Sequence, residues 1–192
     1  LPQMAAGQPL ACVAIDSLPA KVTGLWGLFE VRLQAGMQSH SQFIRIPLVK
    51  RRYVSVFVTD EGKVFLPTAR HIWDALQTND PRVMQSLGYE DSLSAYDRLQ
   101  DAAEQAGQEQ FDTLQQEHRS SIARENERGR YAFDSRRKAM ERIGLPEVRN
   151  FRLGRLSKEE NDWRKELEAA KQIIPEIRPL LLMRIVEAIG HG

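Results

Sequence analysis

Arginine is the residue whose type and spacing carry the most chemistry in this sequence. Between Arg119 and Lys158 twelve basic residues face five acidic ones, a net charge of +7. Eight of them lie in one proline-free run: Arg119, Arg124, Arg128, Arg130, Arg136, Arg137, Lys138 and Arg142. A guanidinium is a planar fork of donors that grips a phosphate or a carboxylate through two bonds at once. The run therefore points to contact with nucleic acid or with an acidic partner surface. Tyr131 and Phe133 interleave it, either to stack on bases or to anchor packing. Just upstream, residues 89–118 hold eight acidic residues against Arg98 alone, a net charge of −7. The competing expectation is thus that an acidic and a basic arm lie antiparallel and neutralise each other. The triplet Lys50-Arg51-Arg52 reads as a solvated turn between strands, with phosphate contact as the alternative.

No constellation of catalytic type accompanies these cations. The chain has no GxxxxGK[ST], GxGxxG, HExxH or GxSxG pattern, and Gly62-Lys63 lacks the upstream glycine of a phosphate-cradling loop. His40, His71, His118 and His191 are scattered, and His71 has no neighbouring nucleophile to serve as a base for. Cys12 is the only cysteine, which excludes an intrachain disulfide, and its apolar surroundings mark it as a small buried hydrophobe. Glu159, Glu160 and Asp162 cluster at an expected helix start, where the helix dipole accounts for them. The expectation is a non-enzymatic piece with no catalytic residue, no cofactor and no metal.

Those residues need elements to hold them. The chain has 192 residues, 42% of them hydrophobic and 28% charged, with a formal charge of +1. That suits a globular protein able to bury a core without covalent staples. The longest apolar run near either end falls far short of the roughly 20 residues that cross a bilayer. No secretory pattern opens the chain, so a cytoplasmic protein with no membrane partner is expected. A first residue of Leu reads as the start of a piece cut from a longer polypeptide.

Residues 11–15, 25–33, 42–49, 53–58 and 63–66 read as strands of an antiparallel sheet, the last two joined by a turn ending in Gly62. A short helix over residues 69–77 puts Ile72, Trp73 and Leu76 on one face. Residues 92–143 contain no proline and read as a long helix or helical hairpin, with Gly107 and Gly129 as the places to bend. Tyr96, Leu99, Ala103 and Ala106 keep heptad spacing, a coiled-coil fragment fit for self-association. Ser157 and Glu160 form a capping box that predicts a helix over residues 158–172, striped by Trp163, Leu167, Ala170 and Ile174. Pro175 and Pro179 bracket a stop, and residues 180–186 read as a closing strand that returns to the sheet, or as a buried helix. The fold class is α+β: an antiparallel sheet with packed helices and a long protruding helix or hairpin. It divides into residues 1–91 (sheet and short helix), 92–144 (helical arm) and 145–192 (helix and closing strand).

The order of these segments is itself informative. YVSVFVTDEGKVFLPTARHIW from Tyr53 is followed by a long polar helix, then by RRKAMERIGLPEVRNFRLGRL, a helix with Trp163, and LLLMRIV. From Gly24 to Val186 this resembles the C-terminal region of bacterial Swi/Snf-related helicase-like ATPases, of the RNA-polymerase-associated and phage-defence types. The resemblance implies an accessory module behind two motor domains that this chain lacks. Its partners would be those motor domains of an ATP-dependent parent, with duplex DNA or RNA polymerase as further candidates. None of that family's ATP-binding residues has a counterpart here.

Overall fold

The computed structural model describes residues 9–19, 21–36 and 44–187. The described elements are, in order, β1 (Ala11–Ala14), β2 (Gly24–Ala35), β3 (Val49–Thr59), α1 (Leu66–Thr78), β4 (Arg82–Ser86), α2 (Tyr89–Glu141), α3 (Pro146–Lys171) and β5 (Ile173–Val186). The fold is α+β. Its strands form one five-stranded sheet in the order β3-β2-β5-β1-β4. The expected antiparallel sheet is in fact mixed, because β1 pairs antiparallel with β4 but parallel with β5. Side-chain alternation is the same in either direction, so the sequence pattern carries no record of how a distant closing strand enters.

The chain divides into two compact units, the first within residues 1–32, 51–111 and 177–192, the second within 33–50 and 112–176. The first unit covers both faces of its sheet. Leu25, Phe29, Val56, Val58 and Leu182 meet Ala95, Leu99, Ala102 and Ala103 of α2. Trp26, Phe57, Met183 and Ile185 turn the other way, onto Ala69, Ile72 and Ala75 of α1. Successive strand residues point to opposite faces, so Val56-Phe57-Val58 serves both layers. Such strands read as continuous apolar runs because neither face is wet. Helix α1 starts with Pro67 in its first turn, where a missing N–H breaks no bond. It is tied to the sheet by Trp26 Nε1, which donates to the Ala69 carbonyl at 2.9 Å, and Trp26 stacks on Trp73 with ring centroids 6.2 Å apart.

Several expected elements take another form. The described part of the expected strand 42–49, residues 44–48, is irregular; Ile44 and Ile46 are buried in the second unit, and Pro47 offers no N–H to a ladder. Residues 42 and 43, like His40 and His191, lie outside the described residues. The turn at Gly62 forms with φ +85°, but the expected strand 63–66 contributes a single bridge, Val58 to Val64, before Leu66 opens α1. Strand β4 was not foreseen: all five of its residues are exposed, so no apolar alternation betrays it. Strand β5 runs through both prolines instead of stopping at them. Four residues apart, they present their missing N–H groups on one side, and the β1 ladder reaches only Arg184 to Val186.

Candidate nucleic-acid interface

The eight expected contact residues all lie on α2, which is a single helix of 53 residues. Neither Gly107 nor Gly129 interrupts it. Both are buried contact points rather than hinges. A Cβ on Gly107 would come within 3.1 Å of Val31, and one on Gly129 within 2.1 Å of the Trp163 ring. A helix-breaking residue is retained where a neighbour needs the space that its side chain would fill.

The hairpin therefore forms between the C-terminal part of α2 and α3, inside the second unit, and not within residues 92–143. Its core is Ile122, Phe133, Leu156, Trp163, Leu167 and Ala170, with Ile44 and Ile46 packed against it. Phe133 and Trp163 meet at 5.4 Å between ring centroids, with planes tilted by 47°. His118 is buried, and its Nε2 lies 2.8 Å from the Ala170 carbonyl. A carbonyl only accepts, so this nitrogen carries the proton and the residue serves as a tie between the helices. Helix α3 begins at Leu145-Pro146, twelve residues before the expected start, so the capping box at Ser157 is never used. The preorganised φ of Pro146 starts the helix in its place.

That earlier start gives Glu159 and Glu160 a role the helix dipole does not supply. They lie mid-helix and face α2. Glu159 accepts from Arg136 at 2.8 Å, and Glu160 pairs with both Arg137 and Arg164, the latter at 2.6 Å. Arg128 reaches the buried carboxylate of Glu125 at 2.7 Å, and Lys138 pairs with Asp134 at 2.8 Å. The Lys138 ammonium, through its hydrogen bond and its charge, holds the Asp134 carboxyl below its usual range. Asp134 in turn pushes Lys138 up.

Four of the eight cations are thus engaged: Arg128, Arg136, Arg137 and Lys138. The other four are exposed, and Arg119, Arg124, Arg130 and Arg142 make no ion pair among the described residues. Eleven residues place Arg119 and Arg130 on one flank of the helix, and eighteen, five full turns, place Arg124 and Arg142 on the other. Tyr131 is 77% exposed beside them, whereas Phe133 is buried, with the Arg136 guanidinium 5.8 Å above its ring. Of the two aromatic residues in the run, only Tyr131 is open to a base.

The remaining candidates sit apart from this face. Lys50-Arg51-Arg52 lies in β3 rather than in a turn; Lys50 pairs with Glu117 at 3.5 Å and Arg51 with Glu30 at 3.6 Å. His71 is exposed on α1, and Cys12 is fully buried in β1. Among the described residues, no three His, Cys, Asp or Glu side chains are grouped to hold a metal ion. Arg149 and Arg152 of α3 belong to the same basic block but were not among the eight contact candidates; Arg152 is exposed and Arg149 half-buried, and their i, i+3 spacing was the available signal. No protein-family model, curated protein or solved structure matches the chain.

Proposed function

We propose that this chain is a non-catalytic accessory module of a helicase-like, ATP-driven DNA translocase, and that it contacts nucleic acid through the outward cations of α2. The observation that carries this reading is the split among those cations. Arg119, Arg124, Arg130 and Arg142 remain unpaired while their neighbours on the same helix are neutralised within the hairpin. Partly exposed ion pairs join α2 to α3, and the unpaired guanidiniums keep their full charge for a phosphate backbone. The motor domains of the parent are its first partners in this reading, with duplex DNA or RNA polymerase beyond them. A cytoplasmic location belongs to the same reading; among the described residues no helix is long and apolar enough to cross a membrane.

The test is binding to a fluorescent duplex of about 30 base pairs across a salt series. Each phosphate neutralised contributes about 0.9 log unit of affinity per log unit of salt. Changing Arg119, Arg124, Arg130 and Arg142 to Gln together should flatten the slope by about three to four units. No binding at low salt overturns the reading.

One observation favours a second reading, a protein-contact module that never touches nucleic acid. Edge strand β4 leaves Val83 68% and Met84 46% exposed, beside an apolar groove of about 410 Å³ floored by Val13, Trp73 and Met183. An uncovered edge is a template for a partner strand. The heptad residues Leu99 and Ala103 do not serve that purpose, since both are buried against the sheet.

A further inference from the structure

The turn between α2 and α3 combines a row of exposed apolar side chains with unpaired arginines. Leu145 and Phe151 are each 68% exposed, and Val148 is 38% exposed. Isolated apolar residues on a surface are ordinary. These three follow at three-residue steps from the N-cap through the first two turns of α3, which keeps them on one side. Around them Arg142, Arg149 and Arg152 make no ion pair and no side-chain hydrogen bond to any described residue. The only acidic residue between Arg142 and Arg152 is Glu147. Further down the hairpin Arg136, Arg137, Arg164 and Lys171 have carboxylate partners.

We propose that this turn is a wedge that enters a nucleic-acid duplex, with Leu145 and Phe151 prising apart a base step while Arg142, Arg149 and Arg152 hold the flanking phosphates. The inference rests on the nucleic-acid reading above and adds to it the part of the molecule that deforms the duplex. Apolar side chains flanked by arginine are the chemistry by which proteins unstack a step and hold the bend. An anionic bilayer would accept the same tip. The track of unpaired arginines favours the duplex. From Arg119 to Arg142 these arginines span about 35 Å of α2 along its two flanks, at 1.5 Å per residue, the length of roughly ten base pairs. A flat surface touched by the tip leaves that track unused, and a rod-shaped polyanion engages both.

The experiment uses the full chain and a duplex carrying 2-aminopurine, whose fluorescence rises when its base unstacks. Three proteins are compared: the parent sequence, L145S/F151S, and R142Q/R149Q/R152Q. Four of the five positions are exposed and Arg149 is half-buried, and unchanged thermal melts confirm that each variant folds. The parent sequence should raise the fluorescence at least about twofold on saturation. L145S/F151S should bind within a few-fold of the parent and abolish the rise. R142Q/R149Q/R152Q should weaken binding and flatten its salt slope by about two to three units. A rise that survives in L145S/F151S overturns the wedge. Saturable binding with no rise in the parent also overturns it, and leaves the nucleic-acid reading standing. Absence of duplex binding at low salt overturns both. Binding to phosphatidylserine vesicles without duplex binding, lost in L145S/F151S, reassigns the tip to a bilayer and overturns the wedge.

Discussion

The two halves of α2 solve the same packing problem with different materials. The first half lays Ala95, Leu99, Ala102 and Ala103 on the sheet, a stripe of small and branched side chains that meets a wholly apolar face. Its acidic residues Asp97, Asp101 and Glu104 point outward and stay exposed. The second half buries Leu114, His118, Ile122, Glu125 and Phe133, a mixed set that includes two polar side chains. It also leaves a notch at Gly129, which the Trp163 ring fills. Its cations are partly neutralised, by carboxylates that α3 brings to matching heights. The contrast shows where charge on a long helix can be paired off. A partner helix offers carboxylates in register, and a sheet face offers only apolar side chains and closed backbone bonds. The −7 and +7 blocks of the sequence therefore do not cancel each other within α2, and the balance of each half is set by what lies across from it.

The comparison breaks most readily at Trp163. Trp163→Ala removes the largest side chain of the hairpin core and should cost about 3–5 kcal/mol in urea unfolding. Hydrogen exchange would locate the loss. Amides in residues 112–176 should lose protection while those in 51–111 keep theirs; equal loss in both would mean that the two halves unfold as one and that the contrast has no energetic content. Gly129→Ala probes the same contact from the other side. Alanine favours a helix by about 1 kcal/mol over glycine. Here its methyl meets the Trp163 ring, and overpacking of that kind costs about 1–3 kcal/mol. A net destabilisation is expected, against a gain of up to about 1 kcal/mol for Gly154→Ala in the same assay, where a Cβ meets open space.

How far the sequence reveals this arrangement depends on whether a signal is local. The α+β class was legible, as were β1 to β3, α1 and the long helix, because each rests on periodicity or on punctuation by Pro and Gly. The parallel entry of β5 was not, since it is fixed by the rest of the chain rather than by its own residues. Glycine was misread at positions 107 and 129 for a related reason: a gap left for a distant side chain looks, in sequence, like a weak point. The start of α3 was misread because Ser157 with Glu160 makes a good capping box, and nothing local says that the helix is already three turns old. The cations of the candidate interface were all found by composition. Which four are free was not legible, because Glu159 and Glu160 lie 23 residues from Arg136 and Arg137.

That last division can be sharpened by releasing the paired cations. Glu159→Gln with Glu160→Gln frees Arg136 and Arg137 while keeping side-chain shape. If free charge on this hairpin sets duplex affinity, the salt slope should steepen by up to about two units. An unchanged slope would mean that Arg136 and Arg137 lie off the contact path, and the interface would shrink to the unpaired residues.

The smallest effect is expected at Asp134, on the exposed side of the hairpin, and its sign is set by the pairing. Lys138 holds the Asp134 carboxyl below its usual range, so the ionised form is favoured in the folded state. A depressed folded value means that the stabilisation is present above the unfolded carboxylate range and disappears only as pH falls through the lowered folded value. Carboxyl chemical shifts should therefore place the Asp134 midpoint below that of Asp134 in Lys138→Met. An equal midpoint in the two proteins would show that the pair does not persist in solution. Lys138 would then join Arg119, Arg124, Arg130 and Arg142 as a cation open to a phosphate, and the border between paired and free charge on α2 would move toward the turn.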